Sequence, residues 1–279
     1  MSTPEPPQQP AVPSPLGPAA VAGTIPPPPE EALASRDTRR GWLMLACFAV
    51  AEVTFLAVSV LVLLPFAIAS PNRAAGRTLP PAALVAALVV PTMLAASVAA
   101  AGAALIGRGS LLQRLRSQLS VRWRPSDVGV GLLLGVVGLV ITLPAAGLWA
   151  RWVGKDQANS AVGEAFNGLR LPLGMAIGLF LGVWLVAPLC EELLYRGVLW
   201  RALEHWRWNR WAIFGLTTAL FSVAHFELLR TPLLVVISLP IALARMLTGN
   251  LLTSIVAHQT NNFLPAVGLL LITQGLMPG

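Results

Sequence analysis

The feature that most constrains this chain is a series of long stretches without charge. Residues 78–107, 128–150 and 171–190 contain no Asp, Glu, Lys or Arg, and residues 42–70 contain one, Glu52. A helix needs roughly 20 mostly apolar residues to cross a bilayer, and each run supplies them. Two shorter runs follow at 211–226 and 231–244, and residues 246–279 carry no formal charge but include His258. The reading is seven transmembrane helices, with an eighth if the last run breaks at Pro265. Lipid gives backbone N–H and C=O groups no outside partner, so such runs fold as helices. A β-barrel would show alternating segments of ~10 residues, and none occurs. The expected fold class is an all-α, polytopic membrane helical bundle.

Charge makes up 11% of the chain, against about 25% in an ordinary soluble domain. The net charge of +7 does not indicate nucleic acid, because the basic residues sit where membrane topology requires them. With a cytosolic N-terminus, thirteen of the nineteen Lys and Arg fall on inner segments and six on outer ones (Arg73, Arg77, Arg151, Lys155, Arg170, Arg230). The positive-inside rule favours that orientation, and the expected location is the plasma membrane. The two cysteines, Cys47 and Cys190, both lie in apolar runs, where inert buried thiols are expected rather than a disulfide.

Residues 1–40 hold eleven of the 24 prolines and read as a disordered cytosolic leader. Residues 41–170 read as three N-terminal spans with a basic cytosolic loop at 107–127. Within that loop Leu111, Leu112, Leu115 and Leu119 fall near one helical face, which predicts a short interfacial helix. Residues 171–279 form the remaining helical core.

Ionisable groups inside spans are costly and so point to function. The set is Glu52, Glu191, Glu192, Arg196, His225, Arg245 and His258, with Asn261 and Asn262 beside it. Glu192 and Arg196 are four apart and can pair on one helical face. Glu191 lies ~100° round the helix and is free to point elsewhere. Centring the turn on Arg207 puts Glu191 and His225 nearly level on an antiparallel hairpin, with His258 in the same plane. Glu227, Arg230 and Pro232 would then lie near mid-membrane unless the preceding helix ends early or they line a polar cavity. Glu52 carries no motif, and its expected partner is Arg245. His205, in a Trp- and Arg-rich turn, reads as an interfacial anchor.

A glutamate facing two imidazoles and an amide can hydrolyse a peptide bond. The glutamate accepts a proton from water; one histidine orients that water or binds a metal with it; the other histidine and the asparagine stabilise an oxyanion. Zinc or another divalent metal could sit on Glu191, His225 and His258, and a metal-free site is the alternative. No His-Glu-x-x-His motif is present.

The ordered set Glu191-Glu192-x-x-x-Arg196, Phe221-x-x-x-His225 and His258-x-x-x-Asn262 resembles the three-motif pattern of the CPBP family. These are the CAAX-processing and bacteriocin-processing (Abi) intramembrane endopeptidases, multi-span α-helical proteins classed as metalloproteases, for which a metal-free glutamate mechanism is also argued. The resemblance covers roughly residues 170–275. It implies catalytic roles for Glu191, Glu192, His225, His258 and Asn262, with Arg196 as the orienting partner. Glu191 would be the catalytic glutamate, His225 would help activate water, and His258 and Asn262 would stabilise the oxyanion. It also implies a membrane-tethered substrate, CAAX-like or otherwise lipid-anchored, and no nucleic acid. Two rival readings are a non-catalytic immunity or scaffold protein that retains the motif, and a proton-coupled transporter. The transporter would call for inverted repeats and broken helices, which the sequence lacks.

Overall fold

The computed structural model describes residues 30–68, 79–154 and 158–277. Most of the Pro-rich leader (1–29), together with Arg73, Arg77 and Lys155, lies outside the described residues. Among the described residues every regular element is helical. Helix α1 (Glu30–Ile68) begins within the stretch read as leader. It is followed by α2 (Pro81–Ile106), α3 (Leu111–Gln118), α4 (Pro125–Val153) and a short α5 (Ala161–Phe166). A continuous helix, α6, runs from Leu173 to His205. Then come α7 (Arg210–Val223), α8 (Thr231–Thr248) and α9 (Leu251–Gln274).

Six of these helices, α1, α2, α4, α6, α8 and α9, are long and apolar enough to cross a membrane. The seventh expected span is α7, with 14 residues. Among the described residues α9 runs unbroken through Pro265, so the last run does not divide into two spans there. A proline inside a helix removes one backbone bond and kinks it, a cost that membrane helices tolerate.

Helix α7, with 14 residues, rises about 21 Å at 1.5 Å per residue, short of the ~30 Å hydrocarbon core, and the 18-residue α8 is near the lower limit of length for a span. The turn that joins them, residues 224–230, therefore lies within the thickness of the bundle. It is non-helical and includes Phe226 at a left-handed φ of 55°. This resolves the placement of Glu227 and Arg230: the helix ends early, and both residues line a cavity. The loop before α6 closes over this turn, with the Ala161 N–H donating to Glu227 Oε1 at 3.2 Å.

Two contacts set the position of α9. A Cβ added at Gly131 of α4 would stand 2.7 Å from the Thr253 carbonyl, and one at Gly135 would stand 2.8 Å from the Ala257 carbonyl. Only glycine permits this approach, the small-residue packing common between membrane helices. At the start of α9, fully buried Asn250 accepts from Arg122 N–H at 3.0 Å and donates to the Arg122 carbonyl at 2.7 Å and to Asp127 Oδ2 at 2.8 Å. Asn250 also caps α9, accepting from Leu252 N–H.

Ser110 caps α3 through a capping box with Gln113. The expected single leucine face is divided. Leu119 is buried and Leu115 packs on the main core, while Leu111 and Leu112 are exposed. Packing against α2 covers the C-terminal end of the helix and leaves its first turn open.

Candidate active site

Helix α6 carries the Glu-Glu pair, and it is not a regular α-helix. Two π segments, Gly182–Val186 and Leu193–Leu199, flank the six-residue α turn Ala187–Glu192. Pro188 accounts for part of the first. It brings no N–H, and Ala187 N–H bonds to the Gly182 carbonyl. The Val183 carbonyl is left open and accepts from Asn262 Nδ2 at 3.3 Å, while Leu185 O accepts from Gln259 Nε2 at 3.2 Å. In the second segment Trp200 N–H bonds to the Tyr195 and Gly197 carbonyls. The Arg196 carbonyl it bypasses accepts from Arg245 Nε at 3.0 Å. Each π turn thus hands backbone acceptors to a neighbouring helix. Such turns recur at functional sites.

The two adjacent glutamates have separate surroundings. Glu192 is fully buried and paired with Arg196 Nη1 at 3.0 Å, the i,i+4 pair expected from spacing. Its same oxygen accepts from His258 Nδ1 at 3.0 Å. A carboxylate only accepts, so His258 carries its hydrogen on Nδ1. The remaining Arg196 nitrogens lack hydrogen bonds, but the guanidinium lies 4.5 Å from the Phe221 ring centre, a cation–π contact. Glu191 instead faces a cavity of about 550 Å³. Its Oε2 is 3.7 Å from His258 Nε2. That gap is too long for a direct hydrogen bond.

His225 closes the set. Its Nδ1 lies 2.8 Å from the Phe221 carbonyl; a carbonyl only accepts, so Nδ1 donates and Nε2 is left as an acceptor. Phe221 is the hub of the site, its ring packed edge-on with Tyr195, His225 and His258. Glu191, His225, His258 and Asn262 all line the cavity. The structure therefore gathers the residues singled out by spacing. Asn262 spends one amide hydrogen on Val183 and keeps the other.

Other expectations fare differently. Arg245 does not pair with Glu52. It is buried against the Trp200 ring, bonded to the Arg196 carbonyl, and 3.9 Å from Glu204. Glu52 instead turns inward from α1 onto the cavity, beside Tyr195. Its rotation could not be read from an almost wholly apolar helix; only its cost inside a span marked it. His205 is largely covered and lies 3.6 Å from Asp37.

Among the described residues, no group of three His, Cys, Asp or Glu is gathered as a metal ion would require. His258 Nδ1 is committed to Glu192, and its Nε2 alone faces Glu191. As placed, Glu191, His225 and His258 do not form a three-ligand set.

Fold and site together define an integral, multi-pass helical membrane protein with a carboxylate–imidazole centre enclosed by its spans. Residues 173–264 match the model of the Rce1-like family, described as type II CAAX prenyl endopeptidase. This match agrees with the CPBP resemblance and contains all three motifs. No curated protein and no solved structure matches the chain.

Proposed function

We propose that the protein is an intramembrane endopeptidase in which Glu191 activates water against a peptide bond of a membrane-tethered substrate. One observation carries this reading. Of the two adjacent glutamates only Glu191 lines the cavity, while Glu192 is locked to Arg196 and His258. With its hydrogen on Nδ1, neutral His258 presents a lone pair at Nε2 to an oxygen that also accepts. Water between them satisfies both.

In the reaction this water attacks the scissile carbonyl and gives its proton to Glu191. During attack the second hydrogen turns from His258 Nε2 to His225 Nε2, which aims the attacking lone pair. The free amide hydrogen of Asn262 holds the oxyanion, joined by His258 when its Nε2 shares the proton that Glu191 has received from the water. Glu191 then passes its proton to the leaving nitrogen as the C–N bond breaks. Glu192 and Arg196 fix His258. The family match supports a CAAX-type substrate, and charge asymmetry supports a cytosolic N-terminus in the plasma membrane.

Glu191→Gln removes the base but keeps the shape. Cleavage of a farnesylated CAAX-type peptide should fall by about 10³-fold, the usual worth of a general base, with thermal unfolding unchanged. Full activity in that variant overturns the reading and favours a binding-only membrane protein.

A further inference from the structure

The cavity wall carries polar atoms that hydrolysis does not use. Glu52 Oε1 on α1, Thr142 Oγ1 on α4 and Asn261 Oδ1 on α9 are shut off from solvent, and none of these three atoms has a hydrogen-bond partner, although the Glu52 carboxylate also meets the Tyr195 hydroxyl. All three residues line the same cavity as Glu191. Asn261 is 3% exposed, so its orphaned oxygen is not a surface accident. Gly138 leaves room beside it, since a Cβ there would stand 3.1 Å from Asn261 Oδ1. Buried polar groups are almost always paired, and leaving one unpaired in apolar surroundings is costly. Three such oxygens, from three helices, on one cavity are a site waiting for donors. Two of the helices, α1 and α4, lie outside the residues that the family match covers.

The chemistry of the missing partner follows from what enters. A peptide drawn into a membrane cavity loses water from its backbone N–H groups, which then need protein acceptors. In an extended chain, N–H groups on one side recur every second residue, about 7 Å apart. The last torsions of Asn and Glu side chains are broad, so Asn261 and Glu52 can swing their oxygens to the lumen at little cost. Glu227 is excluded from the set because its oxygens are taken by Ala161 N–H and Arg230.

We propose that Glu52, Thr142 and Asn261 form an acceptor row that binds the backbone N–H groups of an extended substrate peptide beside Glu191. The choice of a peptide as ligand rests on the hydrolytic reading; the row itself rests on the orphaned oxygens.

The test uses the full chain carrying Glu191→Gln, in lipid nanodiscs. Binding of a farnesylated CAAX-type heptapeptide is compared with versions in which single amides are replaced by esters, removing one N–H at nearly constant shape. Ester replacement at alternate positions should weaken binding by roughly five- to tenfold, the worth of one well-made hydrogen bond. Thr142→Val and Asn261→Leu should each erase the penalty at one position only. Glu52→Gln, which keeps an acceptor, should retain it, and Glu52→Leu should lose it. Gly138→Ala, which crowds Asn261 without removing a polar group, should mimic Asn261→Leu. Equal ester penalties in all these proteins, or none in any, overturn the row. If the heptapeptide binds with the expected penalties yet the protein with Glu191 intact never cleaves it, the hydrolytic reading fails and the row stands.

Discussion

Helices α1 and α8 show what the two ends of this chain do differently. In the most apolar window of α1, 6% of residues are buried in the structure; in that of α8, 50% are. Both are spans by length and composition, yet α1 turns nearly all of its surface outward while half of α8 is buried. Hydropathy alone finds α1 easily, because no charge except Glu52 interrupts it after Arg40. It finds α8 and α9 less easily, because they hold Arg245, His258 and Asn261 for interior use. In a membrane protein, a weakened apolar signal therefore marks the working end.

That contrast can be broken by substitution. The largest expected effect is at Arg196, whose removal leaves Glu192 as a buried charge with no cation beside it. Arg196→Met should destabilise the fold by about 3–5 kcal/mol and abolish cleavage, read by thermal unfolding and peptide turnover in the same detergent. A smaller loss belongs to the α4–α9 contact. Gly135→Val forces a side chain against the Ala257 carbonyl and should cost about 1–3 kcal/mol by overpacking, with cleavage reduced because His258 shifts with α9. The smallest is on the outer face of α1: Leu61, 63% exposed, should tolerate Ala within about 0.5 kcal/mol. A Leu61→Ala loss as large as that of Gly135→Val would show that α1 is covered by another protein rather than by lipid.

Much of the bundle was legible from residues alone. Charge-free runs mark most of the long spans to within about five residues, since lipid forces both length and composition; the exception is α6, which runs to His205, fifteen residues past the end of the 171–190 run. The Glu192–Arg196 pair followed from i,i+4 geometry, and level placement of Glu191, His225 and His258 followed from counting helical rise on either side of a turn. The failures share one cause. Rotation of a helix that is apolar all round leaves no periodic trace, so Glu52 was matched to Arg245 when each faces a different neighbour. The short helix expected at 110–123 is present as α3, but which of its leucines are covered depends on what packs alongside. The π segments also went unread; Pro188 was their only local sign, and one proline does not distinguish a kink from a change of winding.

Those π segments have a consequence for insertion and deletion. Each is equivalent to one residue added to an α-helix, and one residue turns a helix by about 100°. The stretch bearing Glu191 and Glu192 is thus out of phase with the helix on both sides, like text set between two shifted margins. Deleting one residue between Gly182 and Val186 would restore regular winding and turn one side of the helix by that angle against the other. Either the anchoring face before the cavity or the carboxylates within it would then lose its neighbours, although no catalytic side chain had been altered. Length in this helix is as specific as composition.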